Sequence, residues 1–259
     1  MQRVNGRAAV VMGPRGVIDL HQSGSAKAML PRVHDTAAEV VFLNTSGGLT
    51  GGDVMRFSLE AQAGTRVVGT TQTAERAYAA SAGTAQVCVD LSVGAGGVLD
   101  WLPQETILFE GASLARETRC EMADDAQFCC VETVVLGRAA MGERLNNVHF
   151  SDRRVVKRGA RLDWIEPVQI TPQVLDARAS AVTLAGQRAF STVVLLARGA
   201  EDGVERLRSV SREGVTAGVS GWDGKLVVRA MASDGWPLRR YVARILERMR
   251  GTDLPRVWQ

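Results

Sequence analysis

The residues most densely arranged for chemistry are those of "LNTSGGLTGGD" at 43–53, where two glycine pairs flank Leu49-Thr50 and Asp53 closes the run. Glycine-rich loops cradle phosphates when a lysine and a hydroxyl follow the last glycine. Here Gly52 is followed by Asp53, which repels phosphate, and the one Gly-Lys pair, Gly224-Lys225, continues with Leu226. A dinucleotide fingerprint also needs a helix N-terminus to receive the anion, whereas "VMRFSLE" (54–60) alternates like a strand. No nucleotide-binding residue is therefore assigned. Gly47, Gly48, Gly51 and Gly52 read as a bend between two strands that needs positive φ and close backbone approach.

Metal and nucleophile patterns fail in turn. His21, His34 and His149 lie far apart, and Cys88, Cys120, Cys129 and Cys130 contain no Cys-x-x-Cys, so no tight zinc or nickel cage and no tightly bound cofactor is expected. Adjacent strand residues point to opposite faces, which argues against joint ligation by Cys129 and Cys130. There is no Gly-x-Ser-x-Gly elbow. The carboxylates are more informative. Glu105 and Glu110 sit among apolar residues in "WLPQETILFEGA", and Glu132 interrupts the apolar run "CCVETVVLG". A buried acid must find a partner, take up a proton or face internal water. Glu132 is thus either a hydrogen-bonded core acid or part of a polar channel lined by such acids.

The elements that must position these residues are mostly strands. "VMRFSLE", "VCVDLSV" (87–93) and "LARETRCEM" (114–122) alternate with period two, as half-buried strands do. "EVVFLN" (39–44), "FCCVETVVLG" (128–137) and "FSTVVLLA" (190–197) are continuous apolar runs, suited to strands buried on both faces. Asp223-Gly224 marks a hairpin. Helices are expected late: a short one over 200–213, and a clear amphipathic one over 237–251. The 259 residues carry 46% hydrophobic and 23% charged content and a net charge of +3, with basic residues dispersed among 28 acids. That balance argues against a nucleic-acid partner. No stretch approaches a membrane span, no secretion signal is visible, and the cysteine usage fits reduced thiols, so the expected location is cytoplasmic. One continuous domain over 1–259 is expected, with a β body over about 1–198 and a helix-containing part over about 199–259.

Taken in order, "QSGSAKAMLPR" (22–32), "VVFLNTSGGLTGGD" (40–53), "GTTQTAERAY" (69–78), "LDWLPQETILFEGASLAR" (99–116), "LGRAAMGE" (136–143) and "LPRVWQ" (254–259) resemble the urease accessory protein UreD family, also called UreH. The resemblance runs almost from end to end. It implies an elongated, β-helix-like stack of strands with two C-terminal helices, and a non-enzymatic scaffold rather than a catalyst. It further implies that the chain binds UreF, which recruits the GTPase UreG. The assembly docks on the urease apoprotein, and GTP hydrolysis by UreG supports nickel insertion. An internal polar passage would carry Ni2+ in transit. Asp53, Glu105 and Glu143, from the matched motifs, and Glu132, from its burial pattern, are the candidate transit residues. Gly47, Gly48, Gly51, Gly52, Pro103, Gln104 and Gly142 are candidate structural residues of the motifs. Ser46 departs from the proline expected at that position. The competing readings are a structural adaptor without a metal path and a β-fold carbohydrate-active enzyme using distant carboxylates.

Overall fold

The computed structural model describes residues 3–32 and 37–259, so the His34 discussed above lies outside the described residues. The strands are β1 (Asn5–Gly13), β2 (Gly16–Ser23), β3 (Ala26–Met29), β4 (Ala38–Asn44), β5 (Val54–Ala61), β6 (Arg66–Thr71), β7 (Glu75–Ala77), β8 (Ala85–Val93) and β9 (Val98–Leu102). They continue as β10 (Thr106–Leu108), β11 (Ser113–Met122), β12 (Gln127–Leu136), β13 (His149–Arg158), β14 (Arg161–Ile170), β15 (Ala189–Leu196), β16 (Val215–Trp222) and β17 (Lys225–Ala232). The helices are α1 (Pro172–Asp176), α2 (Val204–Arg208) and α3 (Gly235–Arg250).

These strands form two sheets. The first has the order β14-β13-β11-β8-β5-β1-β2, and the second the order β16-β17-β15-β12-β9-β6-β4-β3, with β7 and β10 pairing beside β12. From β4 onward the chain steps from one sheet to the other: β4, β6, β9 and β12 are parallel neighbours in the second sheet. Strands β5, β8, β11 and β13 are parallel neighbours in the first. The result is a β-solenoid-like stack, closed at its C-terminal end by the antiparallel pairs β13–β14, β15–β17 and β16–β17. Asp223 and Gly224 both take positive φ in the β16–β17 turn, as the sequence anticipated.

Burial explains the two sequence patterns. One core lies between the sheets, and a second between the outer face of the second sheet and α3. The first sheet is covered on one face only, so β5, β8 and β11 alternate. Strand β12 is buried on both faces, which is why its sequence runs apolar on either side of Glu132-Thr133. Cys129 accordingly faces α3, with its Sγ 3.9 Å from Met249 Sδ, while Cys130 faces the gap between the sheets. Burial pushes the Cys130 thiol up to about 12 and the Cys129 and Cys120 thiols well above their ordinary value, so these are protonated thiols.

Helix α3 begins two residues before the expected start because Asp234 caps it, accepting from Trp236 N at 2.9 Å. Its Leu238, Tyr241, Val242, Ile245, Leu246 and Met249 are buried, as the spacing predicts. The helix expected over 200–213 is a 3-10 turn, Ala200–Gly203, followed by only five α-helical residues. Of its apolar positions only Leu207 is fully buried, too little packing to extend so short a helix. Helix α1, opened by Pro172, was not anticipated.

Candidate functional site

Register builds the site. Across the first sheet, one row of inward-facing residues reads Ala8, Phe57, Val89, Thr118, Arg154, Glu166. The neighbouring row reads Met55, Val87, Arg116, Asp152. On the facing sheet, Glu132, Thr192 and Arg229 stand side by side. Each row is apolar in the early coils and charged in the late ones. The period-two strand geometry points these side chains into the gap between the sheets, with the half-exposed Arg229 at its open edge.

The charges meet there in a continuous line. Arg116 donates to both oxygens of Asp152, Nε to Oδ1 and Nη2 to Oδ2, at 3.0 Å each, and its Nη1 donates to Thr106 Oγ1 at 2.9 Å. The same Nη1 lies 2.8 Å from Glu132 Oε2. That contact is close but not aligned as a hydrogen bond, so Glu132 Oε2 makes none. Arg154 sits 3.4 Å from Asp152 and 3.3 Å from Glu166, again without hydrogen-bond alignment. Glu166 in turn accepts from Arg229 Nε at 3.1 Å and from Thr192 Oγ1 at 3.3 Å. Buried ion pairs of this kind stabilise weakly, because desolvation offsets the attraction.

Electrostatics separates the acids. Burial pushes Glu132 up to about 7, with Asp152 adding to the rise and Arg116 and Arg154 opposing it. Burial also acts on Asp152, but the Arg116 guanidinium outweighs it and holds that carboxyl below its usual range. Glu75 is raised by burial, partly offset by hydrogen bonds from Asn44 Nδ2 at 3.1 and 3.3 Å.

Both ends of the line open into cavities. Where the second sheet bends at 72–74 and 103–105, a cavity of about 50 Å3 is lined by Glu75, Gln104, Thr106, Arg116 and Glu132. Glu75 also lines a second cavity of about 50 Å3, beneath Asn44 and Gly47. At the other end Glu166, Thr192 and Arg229 line a groove of about 560 Å3 with apolar walls that include Val168, Phe190 and Met231. Among the described residues, Gln104 Nε2 and Thr118 Oγ1 are buried along this interior without a hydrogen-bond partner.

The structure does not bring the four expected acids together. Glu132 lies at the centre of the line. Asp53 is buried in the bend, where its two oxygens accept from Val4 N at 2.9 Å and Thr50 N at 2.8 Å, tying β1 to the glycine motif. Glu105 pairs with Arg239 of α3 at 3.1 Å, on the outer side of the bend whose Gln104 faces the cavity. Glu143 pairs with Arg138 at 2.9 Å and accepts from the backbone of Glu110 and Arg138; Arg138 outweighs the effect of partial burial and holds it below its usual range. Gly142 closes the preceding 3-10 turn at φ 64°. Gly48 has φ 148°, and a Cβ there would lie 2.4 Å from the Tyr78 ring; one on Gly51 would lie 2.4 Å from Ala82 O. Pro103 and Gln104 form the bend itself. Among the described residues no group of three or more His, Cys, Asp or Glu is placed to hold a metal ion, and no helix is long and apolar enough to cross a membrane.

Sequence reasoning missed Glu75, Arg116, Asp152, Arg154 and Glu166. Their signal is positional. Arg116 falls between Leu114 and Thr118 on the inward register of its strand, and Asp152 and Arg154 fall between Phe150 and Val156. A charge on the apolar face of an alternating strand has to be buried with a partner.

The family model described as "UreD urease accessory protein" matches residues 4–259. A Cereibacter sphaeroides protein named urease accessory protein UreD is 54% identical over 100% of this chain and 96% of its own length. Proteins of the same name from Dinoroseobacter shibae and Rhizobium leguminosarum bv. viciae are 50% and 42% identical, over 100% and 99% of this chain and 93% and 96% of their own lengths. With a buried charge line threading a strand stack, and with matches at this level from one end to the other, the chain belongs to the UreD family of urease accessory proteins.

Proposed function

We propose that the chain is a non-catalytic scaffold of urease maturation that binds UreF, engages the GTPase UreG through it, docks on apo-urease, and passes Ni2+ through its interior toward the urease site. The observation that carries this reading is the chain of contacts Glu132–Arg116–Asp152–Arg154–Glu166, each within 3.4 Å of the next, with a cavity lined by Glu75, Arg116 and Glu132 at one end and the groove at the Glu166 end. Within it Glu132, Asp152 and Glu166 face Arg116 and Arg154, with Arg229 on Glu166 at the groove and Arg76 beside Glu75 at the other end. Because Glu132 titrates at about 7, a dication can replace its proton rather than compete with a fixed ion pair. Oxygen ligands held by arginines bind a borderline cation weakly, which suits passage rather than storage.

The arginines are also the obstacle. A cation moves along the line only where a guanidinium swings aside, and guanidiniums that stay in place would leave the chain an adaptor without a metal path. The test is reconstitution of apo-urease with UreF, UreG, GTP and nickel, with and without this chain. Activation that does not need the chain rejects the assignment. If it is needed, Glu132→Gln and a plug such as Thr192→Phe separate the two readings. With complex formation intact, each is expected to lower urease activation at least about tenfold. Wild-type activation in both would leave the adaptor.

A further inference from the structure

We infer that the surface around the Glu75 end of the line is a protein-docking face, and that its occupant is a partner segment carrying an aliphatic or aromatic anchor flanked by carboxylates. The docking follows from the surface itself; that nickel crosses at this face rests on the proposed function.

The face is continuous from the glycine bend to the start of α3. Tyr78 Oη donates to Gly47 O at 3.4 Å, beside the cavity that Gly47, Glu75 and Arg76 line. The Tyr78 ring meets Phe109 at 5.1 Å, and the Arg138 guanidinium lies 4.7 Å over that Phe109 ring. Met141 follows on the adjacent 3-10 turn. Gly137 and Ala139 then share a cleft of about 250 Å3 with Trp236 and Arg239. Three large apolar side chains stand in water here: Tyr78 at 40%, Met141 at 72% and Trp236 at 65% of full exposure. Aromatic residues, Met and Arg are the types concentrated where protein partners bind.

Charge selects the occupant. Arg76 shares the exposed strand face of Tyr78, two residues on, and Arg240 lies one turn beyond Trp236 on α3. Neither side chain forms an ion pair or hydrogen bond among the described residues. The acids nearby are already partnered, including Glu105, which lines the same cleft and pairs with Arg239. Glu143 accepts from backbone N–H groups and Arg138, Glu110 from Asn146 N and Asn147 N, and Asp234 from Trp236 N. What faces outward is therefore apolar and positive. A second copy would bring a like positive face against this one, so the complement is a different, acidic segment.

The experiment measures binding of purified UreF and of apo-urease, separately, to the wild-type chain and to two double variants, Met141→Ala/Trp236→Ala and Arg76→Glu/Arg240→Glu. All four side chains are exposed, so both variants are expected to melt like the wild type. At least one partner should bind each variant at least about tenfold more weakly. The wild-type complex should also weaken with added salt more steeply than that of the charge-reversed variant. Two results overturn the inference: unchanged affinity of both variants for both partners, or a wild-type homodimer that the variants dissolve. Because binding is read apart from urease activation, these outcomes are independent of whether the chain proves necessary for nickel loading.

Discussion

Glu132 shows how one side chain ties stability to chemistry. It is anchored on a strand buried on both faces, and the one guanidinium that reaches it is committed more fully to Asp152. A carboxyl whose folded pKa lies above its unfolded value binds its proton more tightly in the native state, so its contribution is most favourable at low pH. That contribution declines as pH rises from 4.5, where the unfolded chain ionises, through about 7, where the folded one does. Stability attributable to Glu132 should therefore fall across this window, by at most about 1.4 kcal/mol per pH unit for one proton. Asp152 has the opposite sign: its lowered pKa stabilises above the ordinary carboxylate range and is lost in acid. Thermal melts of the wild type and Glu132→Gln between pH 5 and 8 check this. The wild type is expected to lose stability toward pH 8 relative to the variant, and parallel curves would remove Glu132 as the titrating group.

At the scale of the element, the bend at 43–53 works as a clasp. Asp53 joins it to β1 and to its own first turn through two backbone N–H donors, both of which Asp53→Ala would leave without their partner. That substitution should cost about 1–3 kcal/mol, read as a lower melting temperature, while Asp53→Asn, which keeps one acceptor, should cost less. Equal melting of the two variants would show that these hydrogen bonds do not hold the clasp. The bend was legible in the sequence because glycine pairs between strand patterns have few other uses. So were β5, β8, β11 and β12, whose alternation or continuous apolar run follows directly from coverage on one face or two. The partners of each acid were not legible. Glu105 meets Arg239 by tertiary packing, Glu143 meets Arg138 only because a 3-10 turn folds the chain back between them, and which strands lie side by side decides that Arg116 faces Asp152. Sequence periodicity reports the face a residue takes, not the neighbour it meets there.

For the whole molecule, the gradient along the stack matters most. The early coils bury Ala8, Phe57 and Val89 in the row where the late coils bury Thr118, Arg154 and Glu166. Apolar packing stabilises more reliably than buried ion pairs, so amide hydrogen exchange should be slowest in β5, β8 and β9 and faster in β14 and β16, which border the groove. Uniform protection across the stack would contradict that gradient. The bend at 103–105 adds an order of events. Gln104 and Glu105 are held from outside by Arg239, whose guanidinium also lies 5.0 Å over the Trp258 ring, and Trp258 Nε1 donates to Leu102 O at 3.0 Å across 156 positions of sequence. During synthesis the strands around the bend emerge long before these supports do. The cavity wall is therefore set only once residues 239–258 have left the ribosome, and a chain interrupted before them would hold a stack of strands whose inner chamber has no fixed side.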